Sequence, residues 1–243
     1  MILDVLLFFP HPDDAELTMG GTIAKLTKHN LKVGIIDLTR GELGTRGTAL
    51  TRQKEAEQAA KILKVTFRKN MNLQDGNVQV TKENELKLVS IIRMYKPKII
   101  FAPYSNDRHP DHINTSFLVK RAYFSSGLPK VKTYENKKSQ EAYRPEKLFY
   151  CMHYYEFDPS FIVDISDTFE DKMKAVNAFS SQFFNPKSIE PETFISKSNF
   201  LNFVEARAIN YGFKIGKHYG EPFYCEEVIE LDLNRLLHSS NLK

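Results

Sequence analysis

Apolar and polar positions follow two alternating rhythms along this chain. Residues 5–9 form an unbroken apolar run stopped by Pro10 and Pro12, the pattern of a strand buried on both faces. Ile23, Ala24 and Leu26 then recur at helical spacing up to about Asn30. Residues 33–38 read as a second buried strand, and a glycine-punctuated loop over residues 39–48 follows it. Residues 51–63, rich in Ala, Glu, Gln and Lys, predict a helix, and residues 65–67 a short third strand ahead of the Asp75-Gly76 turn. A helix over about 82–95 leads to a strand over 98–102 closed by Pro103, a polar loop over 106–112 and a helix over 113–124. Strands and helices alternating at this spacing predict a parallel sheet covered on both faces, with right-handed crossovers between its strands. The expected fold is α/β, a Rossmann-like three-layer sandwich with a mainly parallel sheet.

The last hundred residues are less regular. Residues 129–145 are polar and Lys-rich, and composition leaves open whether they form a lid or a surface excursion. Residues 148–153 and 161–165 read as two further strands, and a helix starts after Ser166 with Ser166 or Asp167 as its cap. Residues 185–198 read as loop, residues 202–211 as helix and residues 227–233 as a terminal strand. With no internal repeat and no linker, residues 1–243 are expected to form one domain with a decorated C-terminal third.

Composition narrows the function classes. A hydrophobic share of 42% is enough for one extensive core. The formal charge of +4 is spread along the chain with no basic stripe, which argues against nucleic acid as a partner. No apolar run approaches the roughly 20 residues of a membrane span, so no membrane partner is expected. The apolar start is broken by Asp4 and has no basic region before it, so it reads as a strand and not a signal peptide. Cys151 and Cys225 are isolated, which fits a reducing compartment and a cytoplasmic protein.

Two polar clusters follow two predicted strands: His11-Pro12-Asp13-Asp14-Ala15-Glu16, and Asp107-Arg108-His109-Pro110-Asp111-His112. Loops at the carboxyl ends of parallel strands form the ligand crevice of an open sheet, so the clusters face each other if their strands lie near one another. Two imidazoles and a carboxylate from them would make a three-ligand zinc site with one position left for water. A single His-Pro-acidic cluster is also a good turn and helix cap, with Asp13 or Asp14 capping the helix that follows. Two such clusters, holding three of the seven histidines, weaken that plainer reading. A dinucleotide-binding enzyme would need G-x-G-x-x-G where this chain has Asp13, Asp14 and Glu16, and neither a P-loop nor a G-x-S-x-G elbow is present. His29, His153, His218 and His238 have no partner cluster and read as structural or surface residues, with His153 and His218 candidates for a pocket mouth. Arg46 and Arg52 could equally be solvated surface residues, and Phe179, Phe183 and Phe184 fit a core or a subunit contact better than a sugar platform. Glu16 fits either an orienting partner of a metal site or an exposed acid in a first helical turn.

At these residues the sequence resembles the LmbE/PIG-L family of zinc-dependent de-N-acetylases. The first cluster matches its H-P-D-D-x-E signature and His109-Pro110-Asp111-His112 its H-x-D-H. The stretch Gly41-Glu42-Leu43-Gly44-Thr45-Arg46-Gly47-Thr48 with Arg52 matches its glycine loop. The likeness extends to Asp164-Ile165-Ser166, Ser181-Gln182 and Tyr219-Gly220-Glu221-Pro222-Phe223. Around Tyr95-Lys96-Pro97-Lys98 and Phe101-Ala102-Pro103-Tyr104 it is similar in particular to the bacillithiol-pathway branch, which deacetylates N-acetylglucosaminyl-malate. The resemblance implies His11, Asp14 and His112 as ligands of one zinc ion per subunit, with another divalent metal as the alternative. It implies Asp13 as general base, a protonated His109 stabilising the oxyanion or assisting the leaving amine, and Asp111 orienting His109. Arg52 would contact substrate, and Arg108 would pair with a malate carboxylate. Phe200 stands near where some relatives carry a tyrosine that approaches the site. A small sugar conjugate is the implied partner, and a homo-oligomer, a hexamer in particular, the implied assembly. The alternatives are deacetylation of another N-acetylglucosamine conjugate, or a zinc- or sugar-binding module without activity.

Overall fold

A computed structural model describes residues 1–230 of the chain. Strands β1 (Val5–Phe9), β2 (Val33–Thr39), β3 (Phe67–Leu73), β4 (Ile99–Pro103), β7 (Lys147–Cys151), β8 (Phe161–Asp164) and β9 (Gly220–Tyr224) form one seven-stranded sheet in the order β3-β2-β1-β4-β7-β9-β8. The five strands from β3 to β7 run parallel, and β9 turns against both β7 and β8. Strands β5 (Tyr134–Glu135) and β6 (Lys138–Ser139) make a separate exposed hairpin. The helices are α1 (Asp14–Lys28), α2 (Ala49–Ile62), α3 (Lys82–Tyr95), α4 (Pro110–Ser126), α5 (Phe169–Asn177) and α6 (Phe200–Lys214).

Strand β1 explains why the sheet has two cores. Its five residues are all buried, and successive side chains leave on opposite faces. Val5, Leu7 and Phe9 join the layer that includes α1, α2 and α5, while Leu6 and Phe8 join the layer built on α3 and α4. A strand sandwiched in this way carries no polar position, hence the continuous apolar run. Gly20-Gly21 belongs to packing and not to phosphate binding: a Cβ on Gly21 would sit 2.7 Å from the Ile165 side chain, so α1 can approach the start of α5 only without one. At the same crossing the buried Glu221 carboxylate accepts the Gly21 and Thr22 amides and meets Lys172 Nζ at 2.6 Å.

Several boundaries differ from the sequence expectation. The third strand is Phe67–Leu73 and not 65–67: as the outermost strand it keeps Arg68, Lys69 and Asn70, while Phe67, Met71 and Leu73 pack on the core. The fourth helix starts at Pro110, so Asp111 and His112 sit in its first turn; Pro suits that position because the first helical amides need no partner within the helix. Helix α5 starts at Phe169 after Thr168, because the Ser166 hydroxyl is turned to Asp164 and Asp167 pairs with Lys25 and Lys28. Strand β9 was not expected; it accommodates Pro222 because the β7 ladder ends at Phe223, which leaves Pro222 a paired neighbour only in β8. The expected strand 227–233 is absent over 227–230, and its remainder lies outside the described residues. Residues 129–145 are a surface excursion, tied down where Arg93 donates to the Leu128 and Val131 carbonyls and Tyr143 to the Pro97 carbonyl. No helix among the described residues is long and apolar enough to cross a membrane.

Candidate metal centre and catalytic pocket

Adjacent parallel strands β1 and β4 end side by side, and their following loops bring the two polar clusters together. They line a cavity of about 500 Å³ that also receives the loop after β2, the Asp75-Gly76 turn after β3, the chain after β7, and the start of α6. At the centre of the cluster is Asp14. Its Oδ2 lies 3.2 Å from His11 Nδ1, and its Oδ1 lies 3.4 Å from His112 Nε2 and 2.7 Å from His153 Nε2. The other nitrogen of each expected ligand faces a second carboxylate: His11 Nε2 is 3.0 Å from Asp75 Oδ1 and 3.4 Å from Asp111 Oδ2, and His112 Nδ1 is 3.0 Å from Asp107 Oδ1.

This charge arrangement shifts the titration of the clustered groups. Burial opposes charge on Asp14, yet His112 and His153 hold its carboxyl well below the usual range. Burial likewise works against a charged His112, but Asp14 and Asp107 raise it to about 9. His11 is pulled down by burial and lifted well above its ordinary value by Asp111, Asp14 and Asp75. The donor set of two imidazoles and a carboxylate suits zinc, and each imidazole is oriented by a carboxylate on its far side, as metal-binding histidines commonly are.

Asp13 stands at the N-cap of α1 with φ 109°, and its side chain makes no cap bond. The capping reading therefore fails, and the left-handed turn sends the carboxylate into the cavity instead. Burial pushes Asp13 up to about 7 against the pull of Arg52, whose Nη2 lies 3.0 Å from Asp13 Oδ2. Arg52 also donates to the Pro12 and Gly41 carbonyls. Expected as a substrate contact, it is thus largely committed to placing Asp13.

His109 and Asp111 differ from expectation in how they meet. The Asp111 carboxylate accepts the Gly76 and Val78 amides and faces His11; its backbone amide, not its carboxylate, meets His109, donating to Nδ1 at 3.2 Å. An Nδ1 that accepts leaves the proton on Nε2. Burial lowers the His109 pKa, and His11 and His112 lower it further, which works against the protonated imidazole expected here.

Three residues at the centre were not assigned from the sequence. Asp75 read only as a turn, Asp107 only as a member of its cluster, and His153 as structural or surface with the pocket mouth as its alternative; it does line the cavity. Asp107 accepts the His109 and Tyr154 amides besides facing His112. Its position two residues before His109 was the available signal, whereas nothing local marks Asp75 or His153. Glu16 is neither exposed nor at the cluster; it is fully buried and meets Arg68 at 2.6 Å, which also holds Asp37. His218 is exposed and does not line the cavity, and His238 lies outside the described residues. Phe179 and Phe183 are core, and Phe200 lines the cavity, stacked on Phe183. Arg108 lines it too, with its guanidinium carbon 5.0 Å from the ring centres of both Tyr154 and Phe194.

Comparison with known proteins gives this geometry a family context. Residues 6–123 match the family described as PIG-L: GlcNAc-PI de-N-acetylase. The diacetylchitobiose deacetylase of Thermococcus kodakarensis is 31% identical over 89% of this chain and 80% of its own. A probable N-acetyl-α-D-glucosaminyl L-malate deacetylase 2 of Bacillus anthracis is 29% identical over 74% of this chain and 81% of its own. The likeness is therefore not confined to the bacillithiol-type branch. Among solved structures, a conserved protein of Thermus thermophilus superimposes with a TM-score of 0.84 at 37% identity, over 96% of this chain and 98% of that one.

Proposed function

The chain belongs to the PIG-L/LmbE family of de-N-acetylases acting on N-acetylglucosamine-containing substrates, and on that premise we propose that it is a zinc-dependent hydrolase of an N-acetylglucosamine conjugate. The observation that carries the reading is that the two oxygens of Asp14 face His11 and His112, in a cavity where His11, His109 and His112, and likewise Asp14, His112 and His153, stand close enough together to share a metal ion, with Asp13 buried beside them. A module that only retained metal would have no use for a buried carboxylate held at φ 109° beside the ligands. His11, Asp14 and His112 would hold the ion, and His153 is placed to approach it through Asp14.

Held by these residues, zinc would supply a Lewis acid for the acetamide carbonyl and the attacking water. Asp13 takes the proton as that water's oxygen adds to the carbonyl carbon, and Arg52 keeps the carboxylate aimed. His109 donates from Nε2 to the developing oxyanion or to the departing nitrogen. The C–N bond then breaks, the nitrogen takes up the proton, and acetate and a free amine leave. In place of the hydroxyl of a tyrosine, Phe200 offers only apolar surface, so this chain's own donor to the oxyanion is His109.

Acetate release from a panel of N-acetylglucosamine conjugates, including N-acetylglucosaminyl-malate and diacetylchitobiose, tests the reading with and without chelator. Turnover of at least one conjugate, abolished by chelation and restored by zinc, is the expected result. A zinc-loaded protein that hydrolyses none of them would leave the binding-module alternative.

A further inference from the structure

Arg46 is the cavity residue that the chemistry above leaves unused. It is only 4% exposed, it lines the cavity, and its Nε and Nη2 have no hydrogen-bond partner among the described residues. Leaving a buried charged donor unmatched is costly, so an edge of this kind is expected to have an acceptor in the functional state. Nε and Nη2 share one edge of the guanidinium, with N–H bonds spaced to meet the two oxygens of a carboxylate.

The surrounding backbone holds that edge in place. The Arg46 carbonyl accepts from Gln182 Nε2 at 2.7 Å, and the next amide, Gly47, donates to Glu190 Oε1 at 2.8 Å. Gly47 has φ 71°, and a Cβ there would lie 2.6 Å from Ser181 Oγ, so the loop fits against the end of α5 only with glycine. Within 4.0 Å of the guanidinium, among the described residues, the one carboxylate is Glu190, whose Oε2 is 3.8 Å from Nε, beyond hydrogen-bond reach.

Charge favours an anion over a pair of hydroxyls. The acids of the cavity, Asp13, Asp14, Asp75 and Asp107, each face an imidazole or guanidinium. Arg108 instead lies against two rings, and Arg207 donates to the His153 and Leu17 carbonyls. Among the described residues, three guanidiniums thus line the cavity without a carboxylate hydrogen bond, and a neutral aglycone would leave them so.

We propose that Arg46 is a specificity-determining residue that receives a carboxylate of the aglycone, with Glu190 as its weak internal competitor. The proposal rests on the reading of the site as a deacetylase of N-acetylglucosamine conjugates. Two zinc-loaded variants test it. Arg46→Gln should lower the ratio of kcat/KM for N-acetylglucosaminyl-malate to that for diacetylchitobiose about 10–100-fold, the loss expected for a charge-assisted hydrogen bond. Glu190→Gln keeps a carbonyl for the Gly47 amide but removes the competing charge, so it should move the ratio the other way, by a few-fold. In parallel, calorimetric titration of L-malate into the chelated protein should show binding about tenfold or more weaker in Arg46→Gln. That arm needs no turnover, so it decides the role of Arg46 even if neither conjugate is hydrolysed and the functional reading falls. Parallel losses on both substrates, or malate binding indifferent to Arg46→Gln, would overturn the proposal.

Discussion

The cavity lining has two parts, built by different principles. The ligand cluster hangs from the ends of β1 and β4, central neighbours in a parallel sheet, and its acids all face cations. The remaining wall comes from the 41–48 loop, residues 154 and 193–195, and α6, and it presents Tyr154, Phe194 and Phe203, each more than a third exposed, beside guanidiniums that lack carboxylates. In the first part each acid finds an imidazole or guanidinium within the chain, so its geometry exists before substrate arrives, as catalysis by fixed charges requires. In the second, partners are missing, which is what a surface that must choose a ligand looks like. Chemistry is thus placed on the sheet, and choice on the loops.

The strongest break of that comparison strikes the ligand cluster. His11→Ala, Asp14→Ala and His112→Ala each remove one of the three proposed ligands and should each lose zinc and nearly all activity. Elemental analysis of the purified proteins checks this, and full occupancy in all three would move the metal elsewhere, with His153 the first alternative. Asp13→Asn preserves shape but cannot take a proton, so zinc should stay bound while kcat falls at least ~100-fold. Near-normal turnover would transfer the role of base to another group.

A smaller effect, with a defined sign, separates positioning from catalysis. Arg52 lowers the Asp13 pKa that burial raises to about 7, and Asp13 is a base only when ionised. Activity is therefore lost as pH falls through that pKa. Arg52→Gln removes the opposing charge, so the acidic limb of kcat/KM should move to higher pH. An unmoved limb with a lower plateau would mean that Arg52 contacts substrate instead. The smallest effect concerns the wall. Phe194→Ala removes one of the two rings against Arg108 and should raise KM about 2–5-fold with kcat unchanged, since a cation–π contact at an open site is worth about 0.5–1 kcal/mol. A matching fall in kcat would show that the wall also shapes the reacting centre.

The order of elements through α4 was legible because each buried strand is a short apolar run and each helix repeats at its own period. The extent of the polar edge strand β3 and the existence of the proline-containing β9 were not, since neither carries that pattern and both depend on the place the sheet gives them. Within the site, the two His-Asp clusters were readable because their members are neighbours in sequence. His153 was not: it lies 139 residues from Asp14 and approaches it only because β7 pairs with β4, the next strand from β1. The plain reading of Arg46 as a surface residue failed for a related reason: the groups that hold its backbone, Gln182 on its carbonyl and Glu190 on the Gly47 amide, lie more than a hundred residues away.

Local pattern and short motifs were enough for the parallel α/β architecture, the pair of His-Asp clusters and the family. How those side chains divide their partners was settled only in the folded chain. Folding turned the Asp111 carboxylate to His11 and left its amide for His109, committed Arg52 to Asp13, brought His153 to Asp14, and left Arg46 buried with an open edge. Hydrogen bonds and ion pairs act over a few ångströms in space whatever the separation along the chain, so which donor meets which acceptor is fixed only when the strand ends are set side by side.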